Sequence, residues 1–280
     1  MVAPVSGHFD DSQSPDDVWT VAGYVGYANQ WDFFNELWTD ALVRHKVPYF
    51  HMKEMASPTG PFAKWLPANE HEEERAAFFK DLVAAIRRAG LYKVSSTVWL
   101  KDLERFNEET GAGLEPYPLA AHACLANVAL KYDTVPITVV FDRIEKVESK
   151  LAVARSYLQG HTIAELGLCD RITATWLPPP ATSRDVPALQ AADLAAWEVR
   201  KAILRMKPWQ NARGNDHSDR WSQWQDYVAF TREETGEDPK VRKSLAGLIE
   251  GDPGNMISIV WDYIQLMDQH KFRQAAWRKG

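Results

Sequence analysis

The sequence predicts an α/β fold: a mixed sheet flanked by helices. Three observations support this. Two short apolar stretches, residues 2–10 and 17–27, flank the turn-rich DDSQSPDD and suggest an opening hairpin. PITVVFD (136–142) is an unbroken apolar run ending in a carboxylate, as expected of a buried central strand. From that run onward helical and strand patterns alternate, which implies a partly parallel sheet with helices packed on it.

The remaining elements follow in order. Residues 30–45 place Trp31, Phe34, Leu37, Trp38, Ala41 and Leu42 at helical spacing. VPYFHMKEM leads into a Pro-rich loop from Ser57 to Pro67. Residues 70–89 form a helix that is acidic early and carries Arg87 and Arg88 late, in accord with the helix dipole. LYKVSSTVWL (91–100) is a strand, 117–133 an Ala-rich helix, 145–158 an amphipathic helix and ITATW (172–176) a strand. The helix containing ALQAADLAAW is expected to run to about Met206, before Pro208. A polar linker over 209–225 and helices over 240–250 and 255–276 complete the chain.

Bulk properties restrict the function. The 280 residues are 45% hydrophobic and 25% charged, as in ordinary globular proteins. Cys124 and Cys169 lack metal or redox spacing and are expected to be reduced. No apolar run reaches the roughly 20 residues of a membrane helix, and the N-terminus lacks signal-peptide character, so a cytoplasmic protein without a membrane partner is expected. A net charge of −6 argues against a plain nucleic-acid binder. It argues less against a metal-dependent nuclease, because bound cations offset carboxylates locally.

Four acidic positions attract attention. In GHFDDS, Asp10 shares a strand face with His8, and Asp11 takes the other face. A plain acidic turn is the alternative. In YFHMKEM, His51 and Glu54 are three residues apart and face the same way on a helical turn, or belong to a solvated turn. Asp142 ends the most apolar strand, where ligands of α/β sheets sit. It would otherwise cap the next helix. Asp193 lies among alanines on an apolar helix, where a carboxylate requires a partner unless that face is a solvated surface. Carboxylates a few ångströms apart repel by about 4 kcal/mol at an effective dielectric near 20. A cluster of them persists only if metal ions or protons neutralise it.

The pattern FDDS, YFHMKE, VVFD and LQAADLAAW, over about residues 5–205, resembles domain-of-unknown-function family 3800, which is placed in the ribonuclease-H-like superfamily. That family usually opens with Asp-Glu-Ser-Gly, whereas this chain has Asp-Asp-Ser-Gln, leaving Asp10 or Asp11 as the first ligand. The resemblance implies a ribonuclease-H-like domain over 1–207, with a helical insertion at about 29–90. Residues 208–280 would be a linker and helical C-terminal extension. It further implies a metal site of Asp10, Glu54, Asp142 and Asp193.

The expected activity is then metal-dependent phosphodiester hydrolysis, as in a nuclease, with two Mg2+ or Mn2+ ions. His51 would orient a ligand or shuttle a proton. The partner would be DNA or RNA. Alternatives are a non-cleaving nucleic-acid-binding or regulatory module, or a hydrolase of small nucleotides. The basic stretch Arg200, Lys201, Arg205, Lys207 and Arg213 would hold a phosphate backbone or be a solvated helix end. Some of the twelve tryptophans would stack on bases or, as in most proteins, fill the core.

Overall fold

A computed structural model describes residues 4–67, 70–159, 167–212 and 256–261. Strands β1 (Val5–Ser14), β2 (Val18–Tyr27) and β3 (Tyr92–Trp99) form an antiparallel meander. Strands β4 (Ile137–Phe141) and β5 (Ile172–Trp176) continue the sheet in parallel beside β1. Strand β6 (Met256–Trp261) runs parallel to β3 at the other edge. The order is β5-β4-β1-β2-β3-β6, with β2 alone running against the others.

Two apolar clusters cover the two faces. On one face lie α5 (Pro116–Lys131) and α6 (Val147–Gln159), packed against Phe9, Val21, Val25, Val94 and Phe141. Pro116 and Pro118 open α5, and nearly every residue from Tyr117 to Ala129 is buried. On the other face lie α1 (Ala28–Arg44), the short α2 (Met52–Ala56), α3 (Glu72–Ala89) and α7 (Pro187–Ala212). Their apolar stripes meet Val18, Ala22 and Tyr24 of β2. Within α1 the buried residues are Trp31, Phe34, Trp38, Ala41 and Leu42, at the expected spacing. Gln30 ties two helix ends together. Its Oε1 accepts the Tyr27 N–H at 2.9 Å, and its Nε2 donates to Gly90 C=O at 2.7 Å. Both cysteines are free thiols, with Cys124 buried.

Several boundaries differ from expectation. β1 extends through the acidic stretch to Ser14, because Asp10–Ser14 pair in register with Val18–Ala22. The turn is reduced to Pro15–Asp17. Helix α4 (Leu100–Thr110) follows β3 directly, where the sequence reading placed no element. Residues Gly60–Trp65 of the Pro-rich loop form a 3-10 turn that buries Phe62 and Trp65. α7 continues through Pro208 to Ala212, giving up one backbone hydrogen bond at the proline. Met256–Trp261 is a strand rather than the start of a helix, as its β-branched Ile257, Ile259 and Val260 favour. The helix expected over 240–250 and most of the expected linker lie outside the described residues. No described helix is long and apolar enough to cross a membrane.

Candidate functional site

Parallel pairing of β1 with β4 sets Phe9 opposite Phe141. The next residue of each strand is an aspartate. The Asp142 N–H donates to Phe9 C=O at 2.8 Å, so Asp142, just past the end of β4, sits beside Asp10 within β1. α7 packs over β1 and brings Asp193 to the same place. Burial, together with the charges of Asp193, Asp142 and Asp11, pushes the Asp10 carboxyl well above the usual carboxylate range. Asp11 points to the α5 side of the sheet. Burial pushes it up to about 6, while Lys150 pulls in the opposite direction. Desolvation also raises Asp193. All four side chains remain partly accessible.

Each acid is also engaged by the protein. Asp10 Oδ1 accepts the Asp11 N–H at 2.7 Å, and Asp142 Oδ1 accepts the Arg143 N–H at 2.7 Å. Asp193 Oδ2 accepts the Met52 N–H at 2.6 Å, which satisfies a free donor at the start of α2. Glu54 lies within electrostatic reach of Asp193, yet its oxygens are held elsewhere. Oε1 accepts from Arg184 Nη2 at 2.5 Å and Oε2 from the Tyr49 hydroxyl at 3.0 Å. His51 Nδ1 lies 3.3 Å from Glu54 Oε1 without hydrogen-bonding geometry.

This arrangement overturns the expected metal-dependent phosphodiesterase. Among the described residues, no three or more His, Cys, Asp or Glu side chains are placed to hold a metal ion. Asp10, Asp142 and Asp193 feel one another's charge, an interaction that acts over longer distances than a shared coordination sphere requires. Glu54, the fourth expected ligand, is bonded to a guanidinium instead.

The basic stretch after Asp193 is likewise only partly available. Arg200 Nε donates to Ser12 Oγ at 2.9 Å, and Lys201 lies over the Trp197 ring. The side chains of Arg205 and Lys207, and all of Arg213, lie outside the described residues.

Sequence reasoning missed several residues around the site. Gln190, one helical turn before Asp193, is buried. Its Oε1 accepts from Trp38 Nε1 at 3.0 Å and from the Phe50 N–H at 2.9 Å, and its Nε2 donates to Arg184 C=O at 2.8 Å. It fixes the segment leading to His51 against α7. Tyr117 and Lys150 flank Asp11 from α5 and α6, with the Lys150 ammonium 5.7 Å from the Tyr117 ring. Burial and the nearby acids push the Tyr117 hydroxyl well up. Arg184 and Tyr49 had no recognisable signal, because neither lies in a periodic pattern.

No family model matches the chain, and no curated protein matches it.

Proposed function

We propose that the site formed by Asp10, Asp142 and Asp193 binds a small organic cation, such as a diamine, and releases a proton to solvent as it does so. The observation that carries this reading is the meeting of three carboxyl groups from β1, the end of β4 and α7 without a shared ion shell. Such a cluster needs neutralisation. Protons supply it when the site is empty, and Asp10 is the group best placed to hold one. A ligand whose positive charge is spread over separated amines reaches carboxyl groups too far apart to close on a single ion. As the cation enters, Asp10 releases its proton.

We also propose a ribonuclease-H-like architecture. The support is the mixed sheet with helices on both faces, with acids on the first strand, at the end of β4 and on the late helix α7.

Calorimetric titration with putrescine at low salt and neutral pH tests the binding reading. In two buffers of different ionisation enthalpy, saturable binding with buffer-dependent heat is expected, because protons are released. Asp10→Asn and Asp142→Asn should each weaken binding at least tenfold. Absence of binding at millimolar putrescine, or unchanged affinity in both variants, would sink the proposal.

A further inference from the structure

Beside the three aspartates, Glu54 and Tyr49 enclose the guanidinium of Arg184. The Arg184 Cζ lies 4.7 Å from the centre of the Tyr49 ring, and its Nη2 bonds Glu54 Oε1. The Tyr49 hydroxyl bonds the other Glu54 oxygen. A carboxylate bonded to a guanidinium and an aromatic ring beneath its charge are the two elements that recognise this group. The two partners differ in how firmly they are held. The Glu54 side chain is 14% exposed and fixed by Tyr49, whereas the Arg184 side chain is 50% exposed.

Arg184 is anchored through its backbone. The Thr182 N–H and hydroxyl both donate to Asp185 Oδ2 at 2.9 Å, and the Arg184 carbonyl accepts from Gln190 at 2.8 Å. The guanidinium can therefore leave by side-chain rotation while the loop stays in place. Space beside Glu54 is also kept by a glycine. A Cβ on Gly60, whose φ is +54°, would stand 3.0 Å from Glu54 Oε2.

We propose that Tyr49 and Glu54 form a guanidinium-binding subsite at the rim of the acidic site, occupied in the free protein by the chain's own Arg184. The proposal deepens the cation-binding reading, on which it rests for the class of ligand. A ligand with a guanidinium at one end and an amine at the other would displace Arg184 and reach the three aspartates. Arg184 thereby acts as a built-in competitor, lowering apparent affinity by the fraction of time it occupies the subsite.

The probe is methylguanidinium, titrated by NMR at low salt against wild type and Arg184→Ala, with methylammonium as the equal-charge control. Arg184→Ala should bind methylguanidinium roughly two- to tenfold more tightly than wild type, the range set by a half-exposed ion pair reinforced by ring stacking. The gain for methylammonium should be smaller, because it lacks the planar fork. Adding Glu54→Gln or Tyr49→Leu to Arg184→Ala should remove the gain. Equal affinity in wild type and Arg184→Ala, or a gain that survives Glu54→Gln, overturns the subsite. Melting curves confirm that each variant is folded. Asp142→Asn separates the two proposals, because it weakens putrescine binding and leaves the Arg184→Ala gain intact. Putrescine binding without that gain defeats the rim subsite alone. The gain without putrescine binding defeats only the reading of the three aspartates.

Discussion

Asp193 Oδ2 accepts the backbone N–H of Met52 at 2.6 Å, across 141 positions of sequence. The acid on the apolar helix thus caps α2 as well as facing Asp10. The two roles separate by substitution. Asp193→Asn keeps an oxygen for Met52 and removes the charge, so stability at neutral pH should change by less than about 1 kcal/mol. Asp193→Ala leaves a buried N–H unsatisfied and should cost about 1–3 kcal/mol. Urea unfolding of both variants reads the difference. Equal losses would show that the capping bond contributes nothing.

Gln190 offers a stronger case. Its Oε1 serves two buried donors, Trp38 Nε1 and the Phe50 N–H. Gln190→Leu should destabilise the protein by about 2–5 kcal/mol, because two donors are orphaned in an apolar cluster. In a Trp38→Phe background one donor is already gone, so the same substitution should cost measurably less. Additive losses would mean that Trp38 does not depend on Gln190.

Asp11 and His8 oppose each other in the pH dependence, while the raised Asp10 and Asp193 act in the same direction as Asp11. Burial, the largest influence, pushes Asp11 up to about 6, so between pH 4 and 6 the folded protein keeps a proton that the unfolded chain releases. Stability from this group falls as pH rises through that window. Burial pushes His8 down to about 4, so over nearly the same range the unfolded chain binds a proton that the folded protein refuses. That contribution rises with pH, and the two offset each other. Asp11→Asn removes the first, relieves Asp10 of one neighbouring charge and leaves His8 in place. Its stability relative to wild type should climb by about 2 kcal/mol from pH 4 to 6.5. Denaturant midpoints across that range check it, and a flat difference would show that Asp11 ionises normally.

Gly23 of β2 sits against β1. A Cβ there would stand 1.9 Å from the His8 carbonyl oxygen and 2.8 Å from Phe9 Cα, both backbone atoms that cannot yield without breaking the register. Gly23→Ala should destabilise by more than about 3 kcal/mol or prevent folding, as read by circular dichroism of the purified variant. A variant with wild-type melting would mean that the two strands stand farther apart than described.

Much of the frame was legible in the sequence because it rests on local patterns. The apolar run at 136–142, the hairpin and the stripe of α1 all follow from periodicity. Asp10, Asp142 and Asp193 were found as exceptions to such patterns, acids where apolar residues or strand ends were expected. Their separation was not legible, since it depends on how α7 lies over β1. Nor was the fate of Glu54, whose partner Arg184 stands 130 residues away in an irregular turn. β6 was not legible, because its short apolar run satisfies helix and strand patterns alike, and only pairing with β3 decides.

The strand order has a kinetic consequence. The hairpin of β1 and β2 joins segments near one another in sequence and sets Asp10 in place early. β4 must close a loop of more than 120 residues to pair with β1, and Asp193 arrives only with α7. Mutual repulsion among the acids is therefore met at the last steps of assembly, after most apolar surface is buried. Chain entropy and charge burden the same late event, while the opening hairpin folds free of both.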